Sequence, residues 1–423
     1  MKFLYNVGYQ RAVPHASSVD GVVAHTASVD VARPPDDLSV GGEVILDPNL
    51  YLWGLDCGDA TRTCAYIATY PWTPIEVYPL EDYDGKRREW ISAGVMPIID
   101  ELWPPVLPED VSHLVQTCLQ WQYDAGATTL IAPAPLISQV HDGLAEYSRW
   151  LTAAVEKKAQ FDRPVLMTVA FSEVCFPDLQ EGLLDQLSTE DTLNGVYVIM
   201  ETTRQSPYVA SAALADVLLE ISYHIGHRAG REVYINGADT YALACLAAGA
   251  TGMVGGYGMK HRRFSLADYS GGGGGPYPRF TALRTFCRYL ASADMERIRD
   301  EDLLAEFESD STPSSEPLLA ALAAGQSANV VLEWAEERNR TAAAKAHYVQ
   351  RIRAAIDELA SLGDVSARVG HMRRLLVRAD SMNSLLRETF DDELLDEDGL
   401  HVRLWRHALS RFTELYLAPP GDT

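Results

Sequence analysis

Two glutamates stand where apolar runs of strand length stop. Glu201 follows GVYVIM (195–200) directly, and Glu173 stands just past the preceding run PVLMTVA (164–170). Asp47 ends EVIL (43–46) and is held by Pro48 in DPNLY. Carboxylates at strand ends can transfer protons as general acid and base, or attack as nucleophiles. Glu201, Glu173 and Asp47 are therefore the expected catalytic set. The same side chains could instead form structural ion pairs with Arg204 and Arg262. Other polar residues gather at these ends: Asn49, Arg204, Asn236 and Asp239.

A second chemistry is written in residues 233–263. The run VYINGADTYALACLAAGATGMVGGYG places Asn236-Gly237 after one strand and Gly255-Gly256-Tyr257 after the next. Glycines there let backbone N–H groups approach an anion. Lys260-His261-Arg262-Arg263 follows at once, the densest basic run of that region. Asn236, Gly237, Asp239, Gly255, Gly256, Tyr257, Lys260, His261 and Arg262, with Asn49 and Arg204, form the expected substrate or phosphate site. The alternative is that the glycines serve tight turns and the cations serve ion pairs. Five glycines, 271–275, between Tyr269 and Tyr277 suit a mobile lid or a floppy surface loop.

Other chemistries lack their signatures. There is no GxSxG, GxxxxGK[ST] or HExxH motif. The six cysteines, 57, 64, 118, 175, 245 and 287, form no CxxC pair, so no zinc or other metal site is expected. Scattered thiols, with no signal-like N-terminus and no membrane span, predict a cytoplasmic protein.

These residues need elements to hold them. Strand-like runs at 2–7, 43–46, 95–99, 128–132, 164–170, 195–200, 232–235 and 252–255 alternate, from 108 onward, with helical patterns. Residues 1–40 otherwise read as irregular. Near-continuous apolar strands with crossover helices imply a parallel sheet buried on both faces. The expected fold is α/β, a (β/α)8 TIM-like barrel over 1–293, because no dinucleotide fingerprint marks an open sheet. An acidic Ser/Pro linker is expected at 294–317, then a helical domain at 318–423 with an antiparallel hairpin near 345–387. Barrel active sites lie at the carboxyl ends of the strands, where the candidates above fall.

The whole chain has 35 Lys+Arg against 59 Asp+Glu, a formal net charge of −24. That excludes a broad basic surface for nucleic acid or anionic membrane. Nucleic acid remains open only through a local basic site.

The order strand, Gly-Ala, ALACLAAGA, strand and Tyr-containing loop at 233–263 resembles the late part of tRNA-guanine transglycosylases. EVILDPNLYLWG is similar to their early strand ending near an Asn-Thr-Tyr motif. The late segment also resembles the flavin-phosphate half of FMN-dependent barrels. The transglycosylase likeness implies a barrel and an anionic or nucleobase ligand. Departures accompany it: no Asp nucleophile on 252–258, no Asp-Ser-Gly-Gly-Phe-Gln motif and no Cys/His zinc cluster.

Three functions follow as expectations. The first is a barrel enzyme acting on a phosphorylated or nucleobase-containing substrate, by glycosyl or base transfer or hydrolysis. The second is an oxidoreductase carrying FMN. The third is a non-catalytic barrel that assembles, with itself or a protein partner, through its C-terminal helices.

Overall fold

The computed structural model describes residues 1–7, 13–26, 42–52, 70, 108–138, 140–202, 208–269, 276–337, 340–390 and 399–418. Eight strands form one sheet: β1 (Lys2–Val7), β2 (Gly21–His25), β3 (Glu43–Asp47), β4 (Leu130–Ala132), β5 (Val165–Ser172), β6 (Gly195–Glu201), β7 (Glu232–Asn236) and β8 (Gly252–Gly255). Their order is β3-β2-β1-β8-β7-β6-β5-β4, with every neighbouring pair parallel. The two edges meet through a parallel bridge from Ile45 to Thr129, helped by the Thr128 hydroxyl accepting the Val44 N–H at 2.8 Å. The sheet thus curls into the expected TIM-like barrel.

Strand periodicity sorts the side chains. Every second residue points inward, and one from each strand, Leu4, Val23, Ile45, Ile131, Leu166, Tyr197, Tyr234 and Val254, packs a separate interior cluster. The alternate residues face the helices in a second, larger core. Those helices are α1 (Pro108–Asp124), α2 (Gly143–Lys158), α3 (Phe176–Thr189), α4 (Ala212–Ile221) and α5 (Ala242–Ala248). α4 runs on as a π-helical stretch, Ser222–Arg228.

β2 corrects the sequence reading. GVVAH is five residues long and sits in a stretch without visible period, yet it pairs with β3 along its whole length and with β1 from Gly21 to Ala24. The expected strand at 95–99 lies outside the described residues, as do Cys57, Cys64, Arg204 and the 271–275 glycines. Among the described residues no helix is long and apolar enough to cross a membrane.

After the barrel come a hairpin, β9 (Arg279–Ala282) and β10 (Cys287–Leu290), and the helices α6 (Asp294–Asp300), α7 (Glu316–Ala323), α8 (Ala342–Ala360), α9 (Val365–Thr389) and α10 (Leu400–Tyr416). Residues 294–317, expected as a linker, carry α6 and a 3-10 helix Leu304–Asp310, with Met295, Ile298 and Phe307 buried. Their acids face outward while three apolar side chains anchor them.

The tail shares the barrel's core rather than making its own. α8 lies on β1 and α5, where a barrel's eighth helix would lie. Its Tyr348 meets Phe3 and Tyr257 edge-on, with ring centroids 6.3 and 6.4 Å apart. Arg353 pairs with Asp20 at 2.7 Å. His347 contacts the Thr281 carbonyl at 3.0 Å and the Thr312 hydroxyl at 2.9 Å, so one nitrogen donates and the other accepts. α8 and α9 occupy the residues where a hairpin was expected, but neither is the other's main packing partner. Both pack on α5, and the main partner of α9 is α10.

Two predictions follow from this shared core. The Tyr348 hydroxyl is buried without a hydrogen-bond partner among the described residues. Tyr348→Ala should cost about 3–5 kcal/mol, while Tyr348→Phe should gain about 1–3 kcal/mol; urea unfolding measures both. Burial also pushes the His347 imidazole down from 6.5 to about 3. Below 6.5 the unfolded chain binds a proton that the native chain refuses. Its contribution is complete above 6.5 and is lost as pH falls toward 3, by about 1.4 kcal/mol per pH unit. His347→Gln should flatten the stability profile between pH 6.5 and 4 by one proton; an unchanged slope would contradict this.

Candidate functional site

The inward register carries polar residues on the layer above the apolar interior cluster. β1 brings Asn6, two residues past Leu4. β2 brings His25, two past Val23. β3 brings Asp47, two past Ile45, and β7 brings Asn236, two past Tyr234. Tyr197 reaches up from the interior cluster itself. The turn after β3, with Asn49 in the left-handed region at φ 52°, adds Asn49 and Tyr51. Asn tolerates that region better than most residues.

These seven side chains form a closed hydrogen-bonded circuit that ends on Asp47. Tyr51 donates to Asp47 Oδ2 at 2.5 Å and Tyr197 donates to the same oxygen at 2.9 Å. The Asn49 backbone N–H donates to Oδ1 at 2.9 Å. Each tyrosine spends its single proton on Asp47, so its other neighbour must donate to it. Asn49 Nδ2 therefore donates to Tyr51 Oη at 2.6 Å and to His25 Nδ1 at 2.9 Å. His25 Nε2–H then donates to Asn6 Oδ1 at 2.9 Å. Asn6 Nδ2 donates to Asn236 Oδ1 at 3.0 Å, and Asn236 Nδ2 closes the circuit on Tyr197 Oη. Burial, reinforced by the Asp47 charge, pushes both tyrosine hydroxyls well above 10, so they remain donors. Asp47 is 0% exposed. It is an anchor that water does not reach.

Glu201 differs from it. It ends β6 in the same inward register as Tyr197 and keeps 9% exposure. Its carboxylate makes no hydrogen bond or ion pair among the described residues. Glu173 lies beside it on the next strand end: its N–H donates to the Glu201 carbonyl at 2.9 Å, and Thr202 Oγ1 donates to its Oε2 at 3.4 Å. The structure thus brings Asp47, Asn49 and Asn236 into one layer, with the strand-end carboxylates Glu201 and Glu173 at the same end of the barrel.

The glycine-rich and basic segments take another form. The loop after β8 folds back on the loop after β7. The Gly256 N–H donates to the His261 carbonyl at 3.1 Å, and the Asp239 N–H donates to the Arg262 carbonyl at 3.0 Å. Arg262 meets the Asp239 carboxylate at 2.8 Å inside the protein. Arg263 holds Asp268 through two nitrogens, at 2.8 and 2.7 Å. Lys260 is exposed and its Nζ stands 5.1 Å from the Tyr269 ring centre. Tyr257 faces the outer core and donates to the Tyr277 carbonyl at 2.8 Å. Gly237, at φ 76°, and Gly255 let this loop lie close: a Cβ on Gly237 would fall 3.1 Å from the Phe264 nitrogen. Most of the expected phosphate cradle is therefore occupied by the chain's own donors and acceptors.

His261 is the exception within that run. Its ring lies on Gly256, where an added Cβ would fall 2.8 Å from the His261 Cβ. Burial lowers its pKa to about 3, and the neighbouring Lys345 and Lys260 ammonium charges add to the effect. It is a neutral imidazole at the barrel mouth.

Asn6, His25, Tyr51 and Tyr197 were not among the sequence candidates. Counting by two from an apolar strand residue finds Asn6; His25 was hidden because β2 was unread. Among the described residues no cluster of three or more His, Cys, Asp or Glu could hold a metal ion. Cys118, Cys175, Cys245 and Cys287 are buried thiols, none of them in a disulfide among the described residues.

Asp47→Asn should disturb the circuit, because an amide at that position must turn a donor toward a tyrosine. A loss of about 3 kcal/mol or more is expected by analogy with breaking a buried charged network, read by urea unfolding; a loss under 1 kcal/mol would contradict the circuit. No family model matches the chain, and no curated protein matches it either, so its barrel and its mouth stand on their own geometry.

Proposed function

We infer that this barrel is an enzyme that breaks or transfers a glycosyl bond in a polar, nucleobase- or sugar-containing substrate, with Glu201 as the proton-transferring carboxylate. One observation carries the reading: Glu201 ends β6 in the inward register with no hydrogen bond or ion pair to its carboxylate among the described residues, at the strand ends where fixed amides, tyrosine hydroxyls and an imidazole gather. Of that circuit Asn236 and His25 keep 5% and 9% exposure, and such neutral, pre-oriented groups suit hydroxyls and base edges. They also cost little reorganisation when charge develops in a transition state.

In this reading Glu201 gives a proton to the leaving group and later takes one from the attacking hydroxyl or water. Glu173, on the adjacent strand end, supplies a second negative charge near a developing glycosyl cation. Asp47 does not act directly, since its oxygens are already held. It fixes which way Asn236, Asn6 and His25 present themselves.

The flavin reading has less support. A flavin phosphate after β7 and β8 would compete with the His261 and Arg262 carbonyls for the Gly256 and Asp239 amides.

The test is hydrolysis or exchange on a panel of nucleosides and aryl glycosides. Glu201→Gln should lower turnover about 100-fold or more and leave the melting temperature within a degree or two. Undiminished turnover in Glu201→Gln would remove the assignment. Glu173→Gln should lower turnover less than Glu201→Gln.

A further inference from the structure

Protein interiors are packed to the density of organic crystals, so a void that persists beside strand ends calls for a reason. One such space opens where β6 and β7 end. Met200 walls it from β6, Leu214 and Leu218 from α4, and Val209 from the segment that leads into α4. The side chains around it are each less than a tenth exposed. Its free space is about that of one water molecule or one methyl group.

The polar part of the lining is already engaged. Asn236 holds Asn6 and Tyr197, Thr202 donates to Glu173, and the Arg263 guanidinium is neutralised by both oxygens of Asp268. Tyr208 lies flat on His401, with ring centroids 3.8 Å apart and planes 14° apart. The rest of the wall is thioether and alkyl carbon. A water there would give up hydrogen bonds that these groups do not return. An anion would find no uncompensated cation. An apolar group loses nothing on entering.

The space is also held against collapse. Leu214 and Leu218 are one turn apart on α4, whose start is fixed by the Ser211 hydroxyl accepting the Leu214 N–H at 3.4 Å. Trp405 Nε1 of α10 donates to the Val209 carbonyl at 2.6 Å, and the stacked His401 belongs to the same helix. α10 thus keeps the outer wall off the strands. Such a slot is preorganised for what enters it. It joins the mouth, because Asn236 closes the Asp47 circuit and Thr202 follows Glu201 directly.

We propose that this slot is a subsite of the mouth that receives a methyl-sized apolar group carried by the ligand, and so selects ligands bearing such a group over those with a hydroxyl or a charge there. One methyl group in a fitted pocket changes affinity about tenfold or more. The subsite rests on the enzyme reading only in that a ligand must bind at the mouth; it needs neither Glu201 nor turnover.

Xenon, an apolar probe of about methyl size, is titrated into the full-length protein, read by 13C methyl shifts and by the Asn236 side-chain amide. Saturable shifts are expected at the methyls of Met200, Val209, Leu214 and Leu218 and at that amide. Leu218→Phe, which fills the slot, should weaken xenon binding at least tenfold, while Leu322→Val, on α7, should leave it unchanged. Benzene should shift these methyls in Leu218→Ala, whose slot is larger, and not in the unaltered protein. Should the Leu218 variants not fold, the unaltered protein still decides: no saturable xenon shift, methyl shifts without the Asn236 amide, or a long-lived water contact to the Met200 methyl would each overturn the subsite. Equal xenon binding by Leu218→Phe would do the same. Absent xenon binding beside a strong loss of turnover in Glu201→Gln would strike the subsite and leave the enzyme reading standing.

Discussion

One buried carboxylate sets the orientation of the barrel mouth. Asp47 accepts from two tyrosine hydroxyls and one backbone N–H, and it is closed to solvent. With each tyrosine's single proton spent on that acceptor, the direction of the bonds follows around both arms to the Asn49 amide, whose donation to His25 Nδ1 at 2.9 Å competes with the Asp47 oxygen 3.3 Å from the same nitrogen. The interior apolar cluster below gives the circuit a dry support, where an unmade hydrogen bond is expensive. The barrel therefore contributes more than a scaffold. Its parallel register delivers Asn6, His25, Asp47 and Asn236 to one level, and the alternation of the strands turns each inward.

The same economy governs charge. The chain is strongly acidic, and its conspicuous cations are mostly consumed in joining loops. Arg262 and Asp239 lock the loops after β7 and β8 together, and Arg263 with Asp268 braces the next turn. Groups without such partners are then informative. Glu201, which ends β6 and makes no hydrogen bond or ion pair among the described residues, is such a group.

The architecture was legible in the sequence wherever a strand had a continuous apolar run: 164–170, 195–200 and 232–235 each became strands within a few residues. β2 was not, because five residues in a stretch without period cannot be told from a loop until their neighbours pair with them. The separation into barrel and helical domain was read from an acidic, Ser/Pro-rich composition. Composition does not reveal that α8 carries Tyr348 and His347 into the barrel's own core. For the site, chain order exposed Asp47, Asn49, Asn236 and Glu201 because strand ends are visible. It hid Tyr197, whose hydroxyl rises from the layer below, and it gave Arg262 a ligand whose place Asp239 takes.

The central claim is that Asp47 dictates the polarity of the mouth, and its most distant direct consequence is the tautomer of His25. Nitrogen-15 NMR of histidine-labelled protein near pH 8 reads this without a ligand. The account predicts that His25 carries its proton on Nε2 while Nδ1 is a bare acceptor. A proton on His25 Nδ1 under those conditions would contradict it.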